Sequence, residues 1–224
     1  MWSDRPLTGS SQAERGVVLT FDDGPGPETV ALAEYLRSEN VTAAFFAWGR
    51  RVRELSASVV RLLELGHVVG NHSENHLHLT DTFVTDEAAL AEFDMTDAAL
   101  AELGVPKPRY FRPPYGAWNA HLAHVFNAAR RDGAGPINWD IDGGDHLFWR
   151  DRRSPEECAA AYVKAIEKRR KGVVLLHDFS ADDAVAAAAN RTCSTVQLLV
   201  PRLRDLGYSF LAPDWISESK RGID

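Results

Sequence analysis

Two adjacent aspartates, Asp22 and Asp23, and two histidines four positions apart, His72 and His76, are the residues of this chain best suited to hold a metal. On a helical turn or a tight loop, both imidazoles can face one ion. Zinc with three protein ligands and one open position is the usual catalytic arrangement, and a carboxylate can be the third ligand. Two neighbouring carboxylates repel unless a cation neutralises one of them. A metal on either aspartate leaves the other free as a base. Bound metal lowers the pKa of water from about 15.7 to about 7, which makes a nucleophile at neutral pH. His177, at the end of another apolar run, can supply an acid. Each piece has a plainer alternative. A lone His-x-x-x-His pair is more often two surface histidines, and Asp-Asp-Gly-Pro is more often a turn. Arg112 alone reads as a surface ion pair, Phe45, Phe46 and Trp48 read as core, and His67, His78, His121 and His124 receive no role. What favours chemistry is that the polar clusters all follow predicted strands.

The predicted strands are Gly16–Phe21, Ala43–Trp48, His67–Gly70, Arg109–Phe111, Pro136–Ile141, Val173–His177 and Tyr208–Leu211. Several are continuous apolar runs, as strands buried on both faces should be. Helical stretches alternate with them. Ser154, Pro155 and Glu157 form a capping-box start. Thr85 caps a helix over Asp86–Leu103, and Val52, Leu55, Val59, Leu62 and Leu63 form one apolar stripe ended by Gly66. A last helix runs near Thr195–Leu206. Such alternation predicts parallel strands with crossover helices, as a barrel or an open doubly wound sheet, with chemistry at the carboxyl ends of the strands.

The 224 residues carry a net charge of −7 and a pI near 5.6, with 45% hydrophobic residues. That charge is a poor match for nucleic acid or an anionic membrane surface. No apolar run approaches the roughly 20 residues of a membrane helix. Two cysteines, Cys158 and Cys193, are too few for a disulfide scaffold. One domain over residues 16–216 is expected, after an extension (1–15) and before a tail (217–224). The first residues lack a basic-then-apolar leader. If Met1 is the natural start, a cytoplasmic location is expected; if a leader was removed, the protein is secreted or belongs to the cell envelope. Oligomeric state is not set by these features.

From Gly16 to about Pro213 the chain resembles the polysaccharide deacetylases, also called the NodB homology domain or carbohydrate esterase family four. The resemblance rests on Thr20-Phe21-Asp22-Asp23-Gly24-Pro25, His72-Ser73-Glu74-Asn75-His76, Arg112-Pro113-Pro114-Tyr115, Asp142-Gly143-Gly144-Asp145 and Leu175-Leu176-His177. It implies an α/β fold, a distorted (β/α) barrel of about seven parallel strands. It also implies metal-dependent removal of acetyl groups from N-acetylated sugars. By resemblance Asp22 is the catalytic base, and Asp23, His72 and His76 hold a divalent metal, Zn2+ with Co2+ or Ni2+ as alternatives. Arg112 holds the base, the Tyr115 backbone N–H binds the oxyanion, and His177 is the general acid oriented by Asp145. Tyr115, Leu175, Pro114 and His146 are the expected substrate contacts.

The fourth motif departs from the family pattern, because His146 follows Asp145 where a groove-wall tryptophan is usual. Trp149 is the nearest ring that could replace it. A stretch rich in alanine and aspartate, Phe179–Thr192, is expected to form a loop or short helix that shapes access to the site. Together with the missing leader, this favours a small or soluble N-acetylated substrate. An O-acetyl esterase acting on xylan and a catalytically inactive carbohydrate-binding homologue are the competing readings.

Overall fold

The computed structural model describes residues 2–9, 12–107 and 109–214; the expected tail, 217–224, and the last residues of the expected domain, 215–216, lie outside the described residues. Among the described residues nine strands run β1 (Trp2–Leu7), β2 (Gly16–Asp22), β3 (Ala44–Ala47), β4 (Val68–Asn71), β5 (Arg109–Tyr110), β6 (Gly133–Ile137), β7 (Ile141–Asp142), β8 (Gly172–His177) and β9 (Ser209–Phe210). The helices are α1 (Thr29–Ser38), α2 (Gly49–Glu54), α3 (Ser56–Glu64), α4 (Asp86–Glu102), α5 (Ala120–Ala128), α6 (Asp145–Arg150), α7 (Pro155–Arg169), α8 (Ala184–Ala188) and α9 (Thr192–Asp205). Each strand pairing is parallel. One sheet orders β4-β3-β2-β8-β7 and the other β1-β6-β5. A parallel bridge between Asn71 and Phe111 joins β4 to β5. At the far side irregular backbone spans the gap: Asn138 N–H donates to Leu7, and Asp140 N–H donates to Val173.

Side-chain alternation on the central strands sets up the site. Val17, Leu19 and Phe21 face outward into the core shared with the helices, as do Val174 and Leu176 of β8. Val18 and Val173 lie instead in an inner cluster with Ala44, Phe46, Tyr110 and Ile137. A period of two then carries Thr20 and Asp22, and likewise Leu175 and His177, up the inner face. Asp22 and His177 are register partners on adjacent strands.

Three segments differ from the sequence expectation. The stretch before Gly16 supplies β1, whose Trp2 is buried among Phe93, Phe111, Trp118 and Phe126. Any side chain at Gly133 would meet the Trp2 ring, so the two residues fit as a pair. Truncating such an indole costs about 3–5 kcal/mol. Its strand carries few other buried residues, so no alternation announced it. The single apolar stripe from Val52 to Leu63 is broken at Leu55, where α2 and α3 meet with non-helical dihedrals. The expected strand over Pro136–Ile141 is likewise two, β6 and β7. The remaining ends agree within a few residues, and both expected caps form: Ser154 with Glu157 as a capping box, and Thr85 accepting from Ala88 N–H.

Candidate metal and catalytic site

The carboxyl ends of β2, β4 and β8, with the loops after β5 and β6, enclose a pocket of about 310 Å3. Asp22, Asp23, His72, His76, Tyr115, His146, Leu175 and His177 line it. Pro114 does not line it; it is buried at the start of the short turn Pro114–Gly116. That turn sets Tyr115 at φ 58° and uses the Gly116 and Ala117 amides on the carbonyls of Pro113 and Pro114. Trp149 does not replace the missing groove ring either. It is buried in the core, with its Nε1 on Thr192 Oγ1 (3.2 Å). The tryptophan at the pocket wall is Trp139, which falls inside the expected strand Pro136–Ile141 but follows the end of β6. Asp142 of the fourth motif also lines the pocket, as do Ser180, Asp182 and Asp183 from the Phe179–Thr192 stretch, three residues that carry no individual sequence signal.

At one corner Oδ1 of Asp23 lies 3.1 Å from Nε2 of His76 and 3.3 Å from Nε2 of His72. All three side chains are buried, and this Oδ1 makes no hydrogen bond. The tautomer of His72 is fixed by its surroundings. Nδ1 faces the Arg112 carbonyl at 2.7 Å, and a carbonyl can only accept, so Nδ1 carries the proton and Nε2 a lone pair. An orphaned carboxylate oxygen facing two imidazole nitrogens is the donor set of a zinc-type cation, and the residues fit one. Burial pushes the Asp23 pKa up, but its contacts with His72 and His76 outweigh this and hold it well below the usual carboxylate range. The loop carrying both histidines is tied down from behind. Glu92 accepts from the Asn75 backbone and side chain (2.7 and 2.6 Å), and Asn71 accepts from Ser73 N–H. Asp23, Ser73, His76 and Tyr115 all sit at positive φ, a costly conformation for residues with a Cβ.

Beside it, Asp22 Oδ1 accepts from Arg112 Nη1 at 2.7 Å, and the same nitrogen donates to Thr20 Oγ1 at 2.8 Å. The guanidinium is fully buried and lies 4.2 Å over the Phe46 ring. Burial lowers its pKa, against the attraction of Asp22. At the opposite corner Nδ1 of His177 meets Asp145 Oδ1 at 2.8 Å, and the His177 amide donates to Asp145 Oδ2 at 2.7 Å. Gly144, at φ 73°, turns the chain so that Asp145 opens α6. Burial disfavours charge on His177, but the Asp145 carboxylate overrides it and lifts the pKa to about 10. His146 stands edge-on to His177, ring centroids 5.4 Å apart.

A polysaccharide deacetylase family profile matches residues 9–133. Over 208 residues the chain is 30% identical to a chitooligosaccharide deacetylase of Azorhizobium caulinodans, covering 89% of this chain and 93% of that protein. It is 34% identical over 175 residues to a bifunctional xylanase/xylan deacetylase of Cellvibrio japonicus, covering 77% of this chain but only 24% of that longer protein. The solved structure of the peptidoglycan deacetylase PdaC from Bacillus subtilis superposes with a TM-score of 0.68 at 27% identity, over 93% of this chain and 92% of that one.

Proposed function

The chain belongs to the polysaccharide deacetylase family, and on that premise we propose that it is a metal-dependent hydrolase that removes acetyl groups from N-acetylated sugars, with zinc on Asp23, His72 and His76. The observation that carries this reading is the division of labour in one pocket. A carboxylate held by a buried guanidinium, Asp22 on Arg112, shares the pocket with a histidine that a buried aspartate keeps protonated, His177 on Asp145. Two imidazoles and a carboxylate suit zinc, and cobalt or nickel also fit.

A divalent ion there would supply Lewis-acid polarisation of a carbonyl and of water. The chain's own groups do the rest. Asp22 takes a proton from the attacking water as general base, and Arg112 keeps its lone pairs aimed into the pocket. The Tyr115 backbone N–H donates to the developing oxyanion. His177, whose Nδ1 proton is committed to Asp145, donates from Nε2 to the departing nitrogen. An amine leaves poorly unless protonated, so amide cleavage depends on this acid more than ester cleavage does. Leu175 packs beside the acetyl methyl group.

Metal analysis of the purified protein, with acetate release measured on chitin oligomers, peptidoglycan, acetylxylan and small N-acetyl sugars, tests the reading. One equivalent of metal and release from an N-acetylated sugar are expected; no release from any of the four classes would leave a carbohydrate-binding homologue. The likeness to a xylan deacetylase favours a second reading, cleavage of O-acetyl esters. Amide and ester substrates assayed side by side separate the two.

A further inference from the structure

The stretch after β8 reaches the metal corner from outside every motif used above. The Ala181 amide donates to Oδ2 of Asp23 at 2.9 Å. One residue further, Oδ2 of Asp182 lies 2.8 Å from Nδ1 of His76 and accepts from the Tyr115 hydroxyl. The carboxylate oxygen is off the ring's N–H direction, so Nδ1 of His76, a buried atom, makes no hydrogen bond. Asp182 is nevertheless the polar group against it. The Tyr115 ring also stands edge-on to His76, centroids 4.9 Å apart. His72 differs, because its Nδ1 already has the Arg112 carbonyl.

We propose that Asp182 is a positioning residue for the metal triad, orienting His76 and strengthening Nε2 as a donor while the neighbouring Ala181 amide fixes Asp23. The inference rests on the metal reading above. A ligating imidazole usually gives its other N–H to a carboxylate or carbonyl, which sets the tautomer and raises the ring's basicity; removing that partner typically costs about 10–100-fold in metal affinity. The Tyr115 hydroxyl keeps Asp182 in place although its side chain is 55% exposed.

Zinc titrated into chelator-stripped protein gives the test. Asp182→Ala is expected to bind zinc about 10–100-fold more weakly than wild type, with the melting temperature of the metal-free protein unchanged. Asp182→Asn, which keeps the shape and an acceptor oxygen but loses the charge, should fall between the two. At saturating zinc, kcat of Asp182→Ala should return towards wild type, which loss of a group acting on substrate would not allow. Wild-type zinc affinity in Asp182→Ala overturns the proposal; if that variant does not fold, wild-type affinity in Asp182→Asn overturns it. Wild-type protein that binds no zinc removes the metal reading and this inference together, whereas tight wild-type binding unaltered by both substitutions removes this inference alone.

Discussion

Two Asp–His clusters face each other across one pocket, built from the same residue types and set to opposite uses. In the cluster of Asp23, His72 and His76, the carboxylate Oδ1 makes no hydrogen bond and faces Nε2 of both rings. In the cluster of Asp145 and His177, the carboxylate takes both the ring proton and the backbone proton of one residue. On the proposed reading the first arrangement suits a cation, and the second suits holding a proton. What separates them is the charge of the group that occupies Nδ1, a neutral carbonyl for His72 and a carboxylate for His177. The Arg112 carbonyl claims Nδ1 of His72 and leaves Nε2 bare, whereas Asp145 claims Nδ1 of His177 and stabilises its charged form.

The contrast breaks first at Asp23. Asp23→Ala should lose metal and activity completely, read by metal content and acetate release; full retention of metal would undo the ligand assignment. His177→Ala should keep the metal and the fold but lose about 10²–10⁴-fold in turnover on an amide. Loss of metal in that variant would mean that the two corners are one site.

A smaller and sharper effect belongs to Asp145. The His177 pKa stands near 10 instead of its ordinary 6.5 because of that carboxylate. The alkaline limb of the rate–pH profile should therefore lie well above neutrality and move towards neutral pH in Asp145→Asn. An unmoved limb would assign it to another group. Stability follows the same sign. A histidine with a raised folded pKa contributes stability that is fully present below about 6.5 and is lost as pH rises through about 10. Wild type should thus lose more stability than Asp145→Asn over that range in denaturant melts.

The smallest effect concerns the ring beside the acid. His146→Trp sets a larger ring beside the acid and should steepen the dependence of kcat/KM on oligosaccharide length, since sugars stack on aromatic faces. Wild-type efficiency that already climbs steeply over several sugar units would instead point to an extended groove walled by Trp139.

The motif residues were legible because each cluster is short in sequence and follows an apolar run. Period-two alternation then brings Asp22 and His177 to one face without further information. Asp182 was not legible. It lies among alanines and aspartates with no periodicity, and its partners, His76 and Tyr115, are chosen by how the stretch after β8 folds back. Trp139 was hidden for a related reason: the apolar alternation of Ile137, Trp139 and Ile141 continues past Ile137 although the β6 strand stops there. In β1 only Trp2 is fully buried, so its neighbours Ser3, Asp4 and Arg5 read as a solvated tail. The fold was thus readable wherever burial imposed a period, and the site wherever chemistry was local in sequence.

The left-handed backbone at Asp23, Ser73, His76 and Tyr115 has a bearing on protein engineering. Each position costs of order 1–3 kcal/mol that a relaxed loop would not, and glycine there would recover part of it. Selection for heat tolerance alone would therefore find gains at these four codons, three of which encode residues facing the pocket, as readily as at Arg15, Asn40, Arg130, Arg152 and Arg170, which share the left-handed backbone outside it. Ser73→Gly is the mildest case, since Ser73 does not line the pocket, although the change removes the hydroxyl that accepts from His76 N–H. Libraries built to harden this scaffold should hold these four codons fixed and seek improvement in the outer helices.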